Sequence, residues 1–288
     1  MICDYQTNKV YLAEGINGYP MVAKRLLMAL YDERIQTEYL PYSTSKKHVW
    51  VRDYMPVQVE EEEFVKYVYL PDYLKEDPDY IPNYPGMIRK LGLNYKQASL
   101  VIDGGNVVKY GDAVIMTDKV LKENPDFDAN GLQNRLEELF KANVVFIPWD
   151  RYEMFGHADG MVRFIDRNTV LLNNYADFDP ALRKRLQKVL RGHGFSVEEL
   201  HYDKPRCSKY SWAYLNFLQV AGSIFVPGLG IEEDRLAVEQ IQGFYPDHKV
   251  ILVPNCLELV RDGGALNCVT WNIACSDTQP RKNPDMLF

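Results

Sequence analysis

The stretch GGALNCVTWN, Gly263 to Asn272, sets a cysteine between a glycine turn and a strongly β-forming tail. A thiol at such a strand entry is either core filling or a nucleophile, and its neighbours in space decide which. Four other reactive side chains stand in short polar patches far from Cys268 in sequence: Asp53 beside Arg52, Asp103 before Gly104-Gly105, and His157 with Asp159 in GHADG. Each has an ordinary reading when taken alone. Cys268 could be a buried small hydrophobe, His157 a hydrogen-bonded turn residue, Asp103 a turn former and Asp53 the ion-pair partner of Arg52. HAD offers two metal ligands without a third in view, so no metal is assigned. Together, however, a thiol, an imidazole and three carboxylates are the parts of a covalent acid–base mechanism.

Those patches matter only if the chain brings them together. Apolar residues recur at helical spacing in five places, exemplified by Val22, Leu26 and Leu30, by Leu132, Leu136, Leu139 and Phe140, and by Leu182, Leu186, Val189 and Leu190. The other two are Tyr84, Ile88, Leu91 and Ala237, Ile241, Phe244. A short β-rich run follows most of them, as in IQTEYL, NVVFI and KVILV, and then a polar patch leading into further strands such as VWVRDYMPVQV, NVVKYGDAVIMT and YLNFLQVAGSIFVP. The helix starts recur about every 45 to 65 residues, a period that suggests supersecondary units repeated around an axis. The last unit lacks a strand that the amino-terminal NKVYLA could supply, closing the ring and removing a sheet edge. An ordinary α/β sheet would show the same alternation, and period alone leaves both architectures open. If the units do surround one axis, the four patches converge and bring their five reactive residues together, because each occupies the entry to its unit's hairpin.

Five motifs occur in order: WVRD (Trp50 to Asp53), DGGN (Asp103 to Asn106), GHADGMVRF (Gly156 to Phe164), YLNF (Tyr214 to Phe217) and GGALNC (Gly263 to Cys268). In this the chain resembles the agmatine deiminase and Porphyromonas-type peptidylarginine deiminase family of guanidino-modifying enzymes. The resemblance implies a pentein-type fold, a five-bladed α/β propeller of pseudo-fivefold symmetry, as one catalytic domain over residues 1–288. It implies Cys268 as nucleophile, His157 as acid and base, and Asp53 and Asp159 as the carboxylates that grip the substrate. Asp103, where relatives often carry Glu, would orient His157. Trp50 and Asn216 would line the substrate pocket. The implied substrate is a small cationic guanidine, the implied context putrescine biosynthesis, and no cofactor is called for. A guanidinium is a planar cation rich in N–H donors, which paired carboxylates match. Asn267 before the nucleophile, Met55-Pro56 after the first motif and Gly160 after HAD depart from the usual agmatine deiminase pattern. They leave agmatine, free arginine and peptidyl-arginine open, and an amidinotransferase or a non-enzymatic guanidine-binding protein remain alternatives. Arg52 and Arg163 could meet a substrate carboxylate or serve the scaffold.

The bulk numbers set outer limits. The net charge of −7 on 288 residues argues against nucleic acid and anionic membrane as partners. No apolar run approaches the ~20 residues that would span a bilayer. Five cysteines without a CxxC pair fit free thiols in the cytoplasm better than a disulfide framework. A homo-oligomer is left open. LPDYLKEDPDYIPNYPG reads as a long surface loop over a site, the glutamates at 60–63 as a solvated hairpin tip, and SDTQPRKNPDMLF as an irregular tail.

Overall fold

Five long helices begin where the apolar spacing predicts them, at Pro20–Asp32, Tyr84–Leu91, Ala129–Phe140, Pro180–Gly192 and Glu233–Phe244. Their starts are written locally. Asn83, Asp128 and Asp179 each accept a hydrogen bond from a first-turn backbone N–H, and proline opens three of the five. The computed structural model describes residues 1–151, 153, 155–202 and 209–276. Cys207 and the tail beyond Ser276 lie outside the described residues.

The strands form five three-stranded sheets. β1 (Lys9–Leu12) runs parallel to β2 (Gln36–Tyr39). The next sheet holds β3 (Val57–Glu60), β4 (Glu63–Val68) and β5 (Tyr95–Val101). β6 (Val108–Tyr110), β7 (Ala113–Thr117) and β8 (Asn143–Ile147) make another. They are followed by β9 (Val162–Phe164), β10 (Thr169–Leu172) and β11 (Ser196–Glu199). β12 (Leu218–Val220), β13 (Ser223–Pro227) and β14 (Lys249–Val253) make the fifth, and β15 (Thr270–Ile273) stands last. Every sheet has one grammar: two antiparallel strands, then a parallel third reached through a long helix. Parallel neighbours need such a crossover, because a tight turn can only reverse the chain. The first sheet obeys it with strands from both ends of the described chain. β15 pairs antiparallel with β1, Lys9 opposite Ile273 and Leu12 opposite Thr270. NKVYLA therefore closes the ring as expected, and the fold is a five-bladed α/β propeller.

The core lies between helices and sheets. Leu132, Leu136, Leu139 and Phe140 are buried beside Met116 and Val144 of the sheet they cover. Truncating a leucine such as Leu136 to alanine would cost about 2–5 kcal/mol. Two details differ from the sequence pattern. The repeat read as helix, strand and hairpin is out of phase with the blades, since each helix's strand completes the preceding hairpin's sheet. VWVRDYMPVQV is also not one strand: Val51–Tyr54 is a helical turn, and β3 begins only after Pro56, which has no N–H for a ladder. The Tyr67 hydroxyl meets the Asp53 and Met55 carbonyls at 2.8 Å, satisfying backbone that a strand would have paired. Among the described residues, no helix is long and apolar enough to cross a membrane.

Candidate active site

The chain passes between blades through five short turns, each just ahead of a hairpin strand. They are Val51–Tyr54, Gly104–Asn106, Ala158–Gly160, Ser211–Tyr214 and the turn over residues 266–269. Asp53, Asp103, His157, Asp159, Asn216 and Cys268 sit in or beside these turns, which is why residues up to 215 positions apart gather in one place.

Cys268 is buried, with Sγ 3.2 Å from Asn216 Oδ1 and 3.7 Å from Asp159 Oδ2. The Cys268 backbone N–H also donates to Asn216 Oδ1, at 3.3 Å, so Asn216 fixes both the loop and the sulfur. Burial, with Asp159 and Asp53 nearby, pushes the thiol well above its ordinary value, and the unliganded site holds it protonated. His157 Nε2 lies 2.9 Å from Asp103 Oδ2, and Nδ1 lies 3.7 Å from Asp53 Oδ1. Burial opposes the imidazolium, but Asp53, Asp103 and Asp159 outweigh it and lift His157 to about 10. Burial drives Asp53 the other way, up to about 7; His157 opposes that shift, Asp103 and Asp159 add to it, and the Gly105 N–H at 3.1 Å opposes it again. The site is thus poised for a cation: it holds in Asp53 a carboxyl that burial discourages from ionising until positive charge arrives.

The glycines explain themselves here. A Cβ on Gly105 would stand 2.6 Å from His157 Nδ1 and 2.7 Å from Asp53 Oδ1. A Cβ on Gly264 would stand 2.1 Å from the Trp50 ring and 3.0 Å from Cys268 Cβ. Trp50 therefore packs directly on the loop that carries the thiol. Asn267, in place of the usual histidine, donates its amide to Asp159 Oδ2 at 2.6 Å and holds that carboxylate against the sulfur.

Two chambers meet at this centre. The larger, about 550 Å³, reaches Asp159 and Asn216 and is walled by Met161, Trp212 and Phe178, with Asp150, Glu153 and Lys209 as its charged groups. The smaller, about 280 Å³, reaches Asp53 and is walled by Trp50, Tyr54, Tyr69, Tyr73 and Tyr80. Cys268, His157, Phe155 and Gly263 line both. Phe155 is the partition: it lies edge-on to Tyr73 at 5.0 Å, and a Cβ on Gly263 would stand 2.6 Å from its ring.

All seven side chains proposed from sequence line or adjoin this centre. Arg52 and Arg163 do not. Arg52 donates to the Asn267 carbonyl at 3.3 Å and to Asn272 Oδ1, while Arg163 pairs with Asp4 at 3.3 Å and lies over Phe217. Both serve the scaffold. Sequence reasoning missed Tyr73, Lys119 and Phe155. The Tyr73 hydroxyl donates to Asp103 Oδ2 at 3.2 Å, and Lys119 Nζ lies 3.9 Å from that oxygen while pairing with Glu123 at 3.0 Å and Asp72 at 3.2 Å. Tyr73 belongs to the loop read as covering a site, and that loop forms the wall of the smaller chamber. Among the described residues no three His, Cys, Asp or Glu side chains are arranged to hold a metal.

Residues 6–273 match the family model for Porphyromonas-type peptidyl-arginine deiminase. The chain is 25% identical over 219 residues to a Vibrio parahaemolyticus protein named "Putative agmatine deiminase", a match covering 64% of this chain and 61% of that one. The aligned stretch thus spans less than two thirds of that relative. Its fold superimposes on C. jejuni agmatine deiminase with a TM-score of 0.73 at 18% identity, covering 94% of this chain and 95% of that one. Enterococcus faecalis agmatine deiminase gives 0.72 at 18% identity, with 96% and 95% covered. At such identities the superpositions speak for the fold.

Proposed function

The chain belongs to the Porphyromonas-type peptidyl-arginine deiminase family, and from that premise we propose that it hydrolyses a small cationic guanidine to a ureido product and ammonia. The observation that supports this reading best is a buried thiol 3.7 Å from Asp159 that shares a chamber with Asp53, with His157 against Asp53 and Asp103. In the proposed mechanism the guanidinium enters between Asp53 and Asp159, which accept its N–H donors. Its charge offsets the two carboxylates, and as that repulsion is relieved the Cys268 thiol releases its proton to solvent, His157 already holding its own. The thiolate adds to the central carbon. His157 donates its proton to the departing nitrogen, ammonia leaves, and an amidino-thioether remains on Cys268. Neutral His157 then takes a proton from water, whose oxygen displaces the sulfur and yields the ureido group. Asp103 orients the imidazole throughout and stabilises its charge.

The charged groups of the larger chamber favour one kind of tail. Among the described residues that line it, Asp150, Glu153 and Asp159 face a single lysine, Lys209, and the buried Arg52 and Arg163 are engaged elsewhere. A guanidine ending in an amine, such as agmatine, suits that balance better than arginine with its carboxylate. A panel of agmatine, arginine and peptidyl-arginine, assayed for ammonia and ureido product, tests the reading. One-to-one ammonia and ureide from at least one member is expected. Ammonia-free transfer of the amidino group to an added amine would make the protein an amidinotransferase instead.

A further inference from the structure

The two chambers divide the two ends of a guanidine between them. A guanidinium gripped by Asp53 and Asp159 straddles the junction, because Asp53 lines only the smaller chamber and Asp159 only the larger. The imidazole decides which nitrogen departs. Its Nε2 is occupied by Asp103 at 2.9 Å, so the proton available for the leaving group is on Nδ1, which faces Asp53 at 3.7 Å. The nitrogen that leaves is therefore the one on the Asp53 side, turned into the smaller chamber. The tail-bearing nitrogen is left to the larger one.

That smaller chamber is much too large for ammonia alone. Its volume is about 280 Å³, whereas a molecule of water size takes about 30 Å³. Its walls carry an unusual share of aromatic rings, Trp50, Tyr54, Tyr69, Tyr73, Tyr80 and Phe155, alongside the charged Lys47, Asp77 and Asp262. Aromatic faces attract alkylated ammonium ions, through the ring quadrupole and through contact with the alkyl carbons. We propose that this chamber is a leaving-group site for substituted amines, so that the protein also cleaves N-alkylguanidines and releases the alkylamine. The inference rests on the deiminase reading above and names a wider substrate class for the same centre.

The reaction balances without another reagent. Cys268 sulfur bonds to the guanidinium carbon, the bond from that carbon to the alkylated nitrogen breaks, and the His157 proton goes to that nitrogen. Water then replaces sulfur on the carbon. A guanidinium bearing a tail on one nitrogen and a methyl on another, plus one water, gives a tail-bearing urea and methylammonium.

The test compares each guanidine of the panel with its N′-methyl counterpart, quantifying ammonia, methylamine and both ureas. Methylamine release from the methylated analogue, at a kcat/KM within about tenfold of the parent, is expected. Release of ammonia with the methyl retained on the urea, or no turnover of an analogue whose parent is hydrolysed, overturns the proposal and leaves the deiminase reading standing. Failure of every parent guanidine overturns both. A second measurement uses Leu74→Trp, which puts a ring into the smaller chamber away from the reacting groups. It should lower the ratio of methylamine release to ammonia release about tenfold, and that ratio does not depend on how much of the variant folds. An unchanged ratio contradicts the assignment of the chamber.

Discussion

Asp53 shows what the site asks of its residues. Burial raises its carboxyl to about 7, while the cluster of carboxylates lifts His157 to about 10. Binding of a cation needs Asp53 ionised, and protonation of the leaving group needs His157 charged. The kcat/KM of the free enzyme should therefore rise with pH through about 7, as Asp53 loses its proton, and fall through about 10, as His157 does. Asp53, Asp103 and Asp159 all face the imidazole, with Tyr73 against Asp103 and Lys119 behind it, and these groups set the upper limb. A profile flat from about pH 5 to 9 would contradict that assignment. Asp159→Asn keeps the size of the side chain but removes a charge from the guanidinium grip. A charge-assisted hydrogen bond contributes about 1.5–3 kcal/mol, so kcat/KM should fall roughly 10- to 150-fold, measured on whichever guanidine the wild type hydrolyses. An unchanged KM and kcat would place Asp159 outside substrate contact.

At the scale of elements, the helices and the ring-closing strand were legible because they follow simple local rules. Val22, Leu26 and Leu30 repeat at helical spacing, and Asp128 and Asp179 mark helix starts by their side-chain oxygens. The blade boundaries were not legible, because the strand after each helix pairs backward with a hairpin that precedes the helix, and pairing leaves no mark in one segment alone. The single turns that carry the site were hidden for a related reason. Val51–Tyr54 lies in a run with β-forming residues on both sides yet coils, with Tyr67 from β4 meeting the carbonyls of Asp53 and Met55. Phe155 and Tyr73 gave no chemical signal, being aromatic residues whose importance comes from what they face. The glycine of the catalytic turn offers a direct check. Gly264→Ala forces a methyl onto the Trp50 ring and toward Cys268, so it should destabilise the fold by about 1–3 kcal/mol in denaturant unfolding and cut activity further than stability explains. Wild-type activity in that variant would show that the Trp50 contact is dispensable.

The whole molecule is a ring closed by sequence-distant strands, and the proposed catalytic cluster exists only when every blade is in place. β1 and β15 are the last link, with Val10, Leu12, Thr270 and Trp271 all buried. Their amides should exchange with deuterium only through global unfolding, in step with central strands such as β7 and β13. Faster, independent exchange of β1 would mean that the closure frays on its own. What the ring assembles is the claim on which the account stands: a thiol, brought between two carboxylates, that takes up the amidino group. Mass spectrometry of wild-type protein, acid-quenched during turnover of a proven guanidine substrate, tests it most directly, with Cys268→Ala run beside it. The account predicts an amidino adduct on the peptide containing Cys268, and a loss of turnover on the order of 10³-fold or more in the folded alanine variant. Normal turnover by Cys268→Ala, with no adduct on the wild type, would contradict it and return Cys268 to core filling.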